Sequence, residues 1–399
     1  MNILISAYAC EPNKGSEPAA GWKWAYELSK RGHNIFVITR SNNKQIINKY
    51  LLGLDKQPNI QFIYHDLPKF FITLKRKFGC TRLYYILWQF SILDKCKNLN
   101  LRYKFDLVHH ITFCSIRHFS LLGELNVKTL IGPLGGSETS PLWLRSHIGL
   151  QGFISETFRD FCNLITFIDP FFLRATKRCD KLIFTTKSGI KYCPVKYRKK
   201  IHISTVIGLN EDEFHNKKVS VKNQKNLLFV GRHLHWKGMK IALEAFKKAL
   251  ETDSDLSLTI VGSGNATRYW KDLTIKYNIS KNVSWIPWIS QNECEKIFIN
   301  SGIFIFPSLH DSGGFAVLEA MKNGLPVICF DLGGPAETVD SSSGIILKTN
   351  IKDYGLLIEN FSKAIILLSS DKKSWEFYST GALKRSKYFL MKKVVDRFY

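Results

Sequence analysis

Along this chain, short continuous apolar runs alternate with glycine-containing loops and with stretches of helical spacing. Residues 3–9 form the first run and 11–18 the loop after it. Trp22, Trp24, Ala25 and Leu28 are the apolar positions of a helix that Arg31 and Gly32 stop, and residues 33–39 supply the next run. Apolar runs without alternation predict strands covered on both faces, the condition of a parallel sheet. Strand, loop, helix and strand in that order predict a doubly wound α/β fold, with ligands at the carboxyl ends of its strands.

The unit recurs. Residues 106–113 predict a strand that carries His109 and His110 towards its carboxyl end. Residues 129–141 predict a strand ending in a glycine-rich loop, 142–172 irregular aromatic-rich helix, and 180–186 the last strand of a first domain. A second series starts at Asn226, with strands at 227–230, 256–261, 283–286, 302–306 and 327–330 and helices at 239–250 and 315–322. Between the two series, residues 196–214 pass from basic to acidic and predict the hinge, and 217–225 predict a surface loop. Residues 384–399 predict a basic, aromatic terminal helix. The expected division is therefore 1–205, 206–380 and a closing helix at 381–399.

Composition changes this picture in one respect. With 399 residues there is room for two or three cores, but a formal charge of +24 is unusual and favours polyanions. Nucleic acid, anionic lipid and phosphorylated substrates all satisfy that condition. No nucleic-acid recognition motif accompanies the charge, so no nucleic-acid partner is expected. The nine cysteines include no C-x-x-C pair, which predicts free thiols in a reducing cytosol. The first apolar run is too short for a signal peptide, and no run approaches the ~20 residues that span a bilayer. Residues 66–105 mix aromatics with bases and contain few acids. They fit an interfacial membrane segment or ordinary helices with core aromatics equally well.

The richest chemistry lies between Phe306 and Ile328. A strand closed by Pro307 leads into a polar loop with Asp311, Gly313 and Gly314; a helix then opens at Phe315 and carries Glu319. Two glycines let backbone N–H groups approach a ligand, and the helix dipole favours a phosphate there. Asp311 and Glu319 are placed to hold sugar hydroxyls from two sides. Earlier, Arg232 and Lys237 flank the start of helix 239–250, where both charges and the dipole act on one phosphate. Asp253 and Asp255 form a D-x-D, but in a helix-to-strand linker, and predict a turn.

An acidic residue, seven others, then Glu-Ala-Met followed by Gly-x-Pro-Val resembles the retaining glycosyltransferases of family 4. The Gly-Arg…Lys-Gly frame around Arg232 and Lys237 resembles that family's diphosphate-binding pair. The family's usual first acid is glutamate, and Asp311 is one methylene shorter. Gly15, Ser16 and Glu17, followed by Pro18 and by Gly21-Trp22, and the Gly-Pro-x-Gly-Gly loop at 132–136 look like one branch of the family.

The resemblance implies a GT-B fold: two Rossmann-like domains facing across a cleft, with the terminal helix crossing back to the first. It implies transfer of a sugar, with retention, from a nucleotide-diphosphate donor to an acceptor hydroxyl. Arg232 and Lys237 would neutralise the leaving diphosphate, with no metal and no other cofactor. Asp311, Gly313, Gly314 and Phe315 would hold the donor sugar and Glu319 the ribose, with Gly15, Ser16 and Gly262 beside the donor. One of His109 and His110 would sit near the reacting carbon. Glu17, Gly135, Gly136 and Glu138 would face the acceptor. A nucleotide-sugar epimerase on the same fold is the rival enzyme, and a basic nucleic-acid-binding protein the rival of another class. With its charge, the chain is expected in the cytoplasm, peripheral on an anionic membrane, serving a lipid-linked saccharide acceptor.

Overall fold

A computed structural model describes residues 1–205, 208–214 and 223–399. The expected loop 217–225 and the boundary at 206 thus fall largely outside the described residues, as does the side chain of Ser16. The chain forms two compact units. One comprises Met1–Ser137, Cys162–Gly208 and Met391–Tyr399; the other comprises Glu138–Phe161 and Leu209–Leu390.

The first unit is a parallel sheet of β1 (Asn2–Ser6), β2 (Asn34–Thr39), β3 (Ile60–Tyr64), β4 (Leu107–His110), β5 (Lys128–Leu134), β6 (Lys181–Phe184) and β7 (Ile201–Ile203). Their order is β3-β2-β1-β4-β5-β6-β7. The register sets Ile5 of β1 between Val37 of β2 and His109 of β4. The second unit holds β8 (Asn226–Val230), β9 (Ser257–Val261), β10 (Val283–Ile286), β11 (Ile303–Phe306), β12 (Val327–Phe330) and β13 (Gly344–Leu347), in the order β10-β9-β8-β11-β12-β13. In each sheet the order reverses beside the first strand, the place where doubly wound folds bind ligands.

The central strands are the apolar runs of the sequence: β4, β11 and β12 are buried throughout. Three strands escape the sequence reading, and all lie at a sheet edge or next to one. β3 and β7 alternate in burial and shield only part of their surface, and Gln61 and His202 interrupt their apolar residues. β13, Gly-Ile-Ile-Leu, is apolar throughout but only four residues long.

Residues 142–172 are more regular than their composition suggests. They form the helices Leu142–Arg145 and Leu150–Ile165 and the start of Pro170–Arg178. Residues 138–161 join the second unit rather than the first, because Leu144 and Ile148 are buried in its core and the Trp143 indole donates to Thr349 O at 3.2 Å. The basic aromatic stretch divides. In the helix Thr81–Tyr103 the aromatics Tyr84, Tyr85 and Trp88 are core, whereas the helix Lys69–Phe78 buries no residue fully. The terminal helix is broken: Lys372–Ser386 and Met391–Asp396 are separate, and only residues from Met391 onward belong to the first unit. Asp253 and Asp255 both accept from Lys225 Nζ, at 2.9 and 3.0 Å, and form a turn. Among the described residues, no helix is long and apolar enough to cross a membrane.

Candidate functional site

In the second unit, the loops after β8, β9, β11 and β12 pack against one another at the carboxyl ends of their strands. Glycines make this contact possible. Gly238 has φ +64 and ends the loop after β8; a Cβ there would stand 2.1 Å from Pro307 O. At Gly262, with φ +128, a Cβ would meet Gly231 O at 2.0 Å. Gly262 therefore lets the loops after β8 and β9 touch, and its own backbone N–H is engaged with Ile286 O.

That packing brings Lys237 to Asp311. The Lys237 ammonium donates to Asp311 Oδ2 and lies over the Phe306 ring, 4.6 Å from its centroid. Burial pushes the Asp311 carboxyl up. The Lys237 ammonium, His310 and the Gly314 N–H outweigh that effect and hold it below the ordinary aspartate range. Its backbone is fixed as well, since Gly334 N donates to Asp311 O at 2.6 Å.

Beyond Asp311 the chain opens. An added Cβ at Gly313 would meet nothing within 4 Å, while Gly314, at φ +56, starts the helix Phe315–Lys322 without a side-chain cap. Val317 N and Leu318 N donate to Gly314 O at 2.9 and 3.3 Å, so the N–H groups at an anion's disposal are those of Phe315 and Ala316. Glu319 lies further along this helix, close enough to Cys294 to raise its thiol pKa, after burial, which is the larger cause. Arg232 is exposed in the loop after β8.

Glu138 is not grouped with Gly135 and Gly136. The two glycines are in the first unit; Glu138 is in the second, where it accepts from Ser312 Oγ at 2.7 Å. Arg159 donates to its backbone carbonyl at 2.9 Å and stands 3.8 Å from its carboxylate. A second buried pair lies alongside. His310 Nδ1 is 2.8 Å from Glu156 Oε2, which also accepts from Ser140 Oγ at 2.7 Å, and Trp236 stacks on the imidazole. The sequence reading missed Arg159, Glu156 and His310. His310 stands beside Asp311 in the same loop, which was the available signal.

In the first unit, Glu17 accepts from Phe113 N and spans from the helix Ser16–Lys30 to the loop after β4. Burial pushes its carboxyl up, partly offset by that N–H. Gly15 precedes this helix as an exposed N-cap. Gly135 exchanges backbone bonds with Cys114 and Ile116, and Gly136 O accepts from Arg117 Nη1 at 2.9 Å.

Both histidines of β4 are fully buried, and neither keeps a free ring nitrogen. His109 Nε2 donates to Gly132 O at 2.9 Å, which leaves Nδ1 to accept from the Tyr399 hydroxyl. His110 is held by Tyr85 OH at 2.8 Å and Ser6 Oγ at 3.1 Å. Burial lowers each to about 3, so both are neutral near pH 7. The loop after β4 carries a partly buried histidine that the sequence reading did not single out. His118 packs against Tyr85 and Phe113 and is lowered to about 4, chiefly by burial.

Comparison with known proteins adds to this geometry. Residues 210–384 match the family model of glycosyl transferases group 1. That range contains the whole Lys237–Asp311 site. Among curated relatives, the chain is 28% identical over 205 residues to an uncharacterised glycosyltransferase of Haemophilus influenzae, covering 50% of this chain and 56% of that one. It is 23% identical over 234 residues to protein CapJ of Staphylococcus aureus, covering 56% and 59%. The chain thus spans little more than half the length of these relatives.

Among solved structures, WaaG, a glycosyltransferase involved in lipopolysaccharide biosynthesis, aligns over 99% of this chain and 98% of its own, with TM-score 0.60 and 16% identity. Anabaena HepE in complex with UDP aligns over 99% and 97%, with TM-score 0.63 and 11% identity. At such identities the likeness establishes the fold, two Rossmann-like parallel-sheet units of the GT-B type.

Proposed function

We propose that the protein is a retaining glycosyltransferase that moves a sugar from a nucleotide diphosphate to an acceptor hydroxyl. The observation that carries this reading is the Lys237–Asp311 pair beside the uncapped start of the helix Phe315–Lys322. A cation, a fixed carboxylate and the uncapped backbone N–H groups of Phe315 and Ala316 suit a ligand that is a diphosphate at one end and a polyol at the other. The family match over 210–384 and the HepE complex with UDP support it.

In this reading the bond between the anomeric carbon and the diphosphate oxygen breaks while the acceptor oxygen bonds to that carbon on the same face. The acceptor proton passes to the departing phosphate. Lys237, drawn from Asp311, and Arg232 stabilise the charge developing on the diphosphate, the part that a metal ion plays in other transferases. Asp311 and the backbone at 313–315 hold the sugar, and Glu319 holds the ribose. His109 and His110 hold β4 to its neighbours rather than touch the sugar. On the acceptor side, the lipopolysaccharide role of WaaG and the likeness to CapJ favour a lipid-linked or growing cell-surface saccharide.

The test is a thermal-shift panel of sugar nucleotides without added metal, on the wild type and on Lys237→Ala. A ligand that binds only the folded state raises the melting temperature with concentration. Stabilisation by one nucleotide series, lost in the variant, supports the donor site. Turnover of that donor without any acceptor would indicate an epimerase. A response to oligonucleotides alone, falling steeply with salt, would replace this reading with nucleic-acid binding.

A further inference from the structure

At the carboxyl ends of β1, β2 and β3, three polar residues converge. Tyr8 follows the end of β1, Arg40 the end of β2 and Asp66 the end of β3. Parallel neighbours therefore deliver all three to the ligand side of the first sheet, next to β1, where its strand order reverses. Tyr8 is 1% exposed and rests on an aromatic floor. Phe113, from the loop after β4, lies 4.7 Å from it between ring centroids, and Tyr85 and Trp88 meet it edge-on.

Two cations gather about this one ring. Arg40 Nε donates to Tyr8 O at 3.1 Å, and the guanidinium lies over the ring, 4.2 Å from its centroid. Lys75 Nζ donates to Tyr8 OH at 3.3 Å and stands 4.7 Å from the centroid of the Tyr84 ring. Its helix aims Lys75 inward. Phe71 and Ile72, one turn earlier, pack on the core of the first unit, so the helix Lys69–Phe78 presents Lys75 on the same face. Lys69, Arg76 and Lys77, the other bases of that helix, are exposed.

The charges of this group do not balance. Asp66 is its carboxylate, and neutral donors engage it: Tyr84 OH at 3.1 Å on Oδ1 and Ser41 N at 3.0 Å on Oδ2. Among the described residues, no carboxylate lies within ion-pair distance of Arg40 or Lys75. Both cations are half-buried, and the Lys75 pKa is lowered by burial first and by the Arg40 charge second. Cation–π attraction accounts for each lying on an aromatic ring, but not for a second like charge brought to the same ring. The guanidinium fork and the ammonium also carry more donors than their contacts with Tyr8 use. Two adjacent cations with donors to spare match an oxyanion, which accepts from both.

We propose that Arg40 and Lys75, gathered about Tyr8, form a seat for an oxyanion, a phosphate or carboxylate group carried by the acceptor saccharide. The seat rests on the geometry of the first unit alone. Its assignment to the acceptor rests on the glycosyltransferase reading, in which the donor diphosphate is held at Lys237 in the second unit. The seat orients the acceptor and takes no part in bond making.

The experiment is calorimetric titration of the full chain, at low salt, with inorganic phosphate, inorganic pyrophosphate and glucuronate. These stand for a phosphorylated saccharide, a diphosphate-linked one and an acidic sugar. The forms compared are the wild type, Arg40→Gln, Lys75→Gln, Lys77→Gln and Lys237→Ala. The wild type is expected to bind at least one of the three, and the preferred one identifies the acceptor's group. Arg40→Gln and Lys75→Gln should each weaken that binding by about tenfold or more, the worth of one charge-assisted hydrogen bond. Lys77→Gln, which removes an exposed charge from the same helix, should not. Lys237→Ala should retain the site that the two seat variants lose. Both seat variants should hold the wild-type melting temperature, since each removes one of two like charges, and should keep the thermal response to sugar nucleotides. A wild type that binds none of the three anions would overturn the proposal. An equal loss in Lys77→Gln would do the same, by showing diffuse attraction to a basic chain. Seat variants that bind as tightly as the wild type but melt lower would also overturn it, and make the two cations a structural brace on Tyr8. Anion binding lost in the seat variants, in a chain that answers to no sugar nucleotide, would uphold the seat and overturn the glycosyltransferase reading.

Discussion

Lys237 and Asp311, 74 residues apart in sequence, meet as an ion pair where the loops after β8 and β11 come together. Neither is free in the absence of ligand: the ammonium neutralises a partly buried carboxylate, and the carboxylate anchors a long flexible side chain. A donor diphosphate would compete for that ammonium, which couples donor binding to the position of the Asp311 loop.

The pair can be tested by a double-mutant cycle. Lys237→Ala leaves the Asp311 carboxylate without its ammonium and is expected to cost about 1–3 kcal/mol. Adding Asp311→Asn should recover part of that loss, but not the response to nucleotide. Urea denaturation gives the stabilities and thermal shift the ligand response. Full additivity of the two substitutions would show that the pair does not interact in solution.

Glycine substitutions should separate packing from binding. Gly238→Ala puts a Cβ on Pro307 O at a positive φ, so a loss of about 2 kcal/mol or more is expected, together with a weaker nucleotide response. Gly313→Ala meets nothing and should leave the melting temperature unchanged. A bulkier Gly313→Val should retain most of the stability while raising the KM for donor. Equal loss of stability at positions 238 and 313 would contradict this account of the loops.

Glu138 accepts from Ser312 Oγ at 2.7 Å, and under the proposed function it is expected to position the Asp311 loop. Ser312→Ala is expected to cost less than about 1.5 kcal/mol, the worth of one hydrogen bond. It should lower kcat several-fold with little effect on nucleotide affinity. Glu138→Gln keeps an acceptor for the hydroxyl and should restore most of the rate relative to Glu138→Ala. Similar rates for the two Glu138 variants would remove the positioning role.

The buried histidines predict acid sensitivity. His109 and His110 are held at about 3, far below the unfolded value near 6.5, so the unfolded chain takes up more protons between those limits. Stability is therefore full above about pH 6.5, and each group removes about 1.4 kcal/mol for every pH unit below it. Melting temperature measured from pH 7 to pH 5 should fall, and His109→Gln should show a shallower fall whatever its absolute stability. Parallel profiles would show that His109 does not titrate on unfolding.

Much of this molecule is local in origin and was legible for that reason. The central strands are continuous apolar runs because both faces are covered, and Gly314 followed by Phe315–Lys322 announces a helix start through composition alone. That Lys237 and Asp311 lie in glycine-flanked loops at the carboxyl ends of strands was legible from residue type and neighbouring glycines. Their direct pairing was not, since it depends on how two loops pack across a sheet.

Tertiary structure decided the rest, wherever the outcome depended on a distant partner. It buried His109 and His110 beside Tyr399, Tyr85 and Ser6, moved residues 138–161 into the second unit, and gave Glu138 to Ser312. Above all it set the orientation of Leu150–Ile165. The spacing of Ile154, Phe158 and Phe161 specifies an amphipathic helix but not which face turns inward. Within the second unit, Arg145 and His310 settle that by binding Asp160 and Glu156, because an unpaired buried charge costs more than an exposed leucine or phenylalanine.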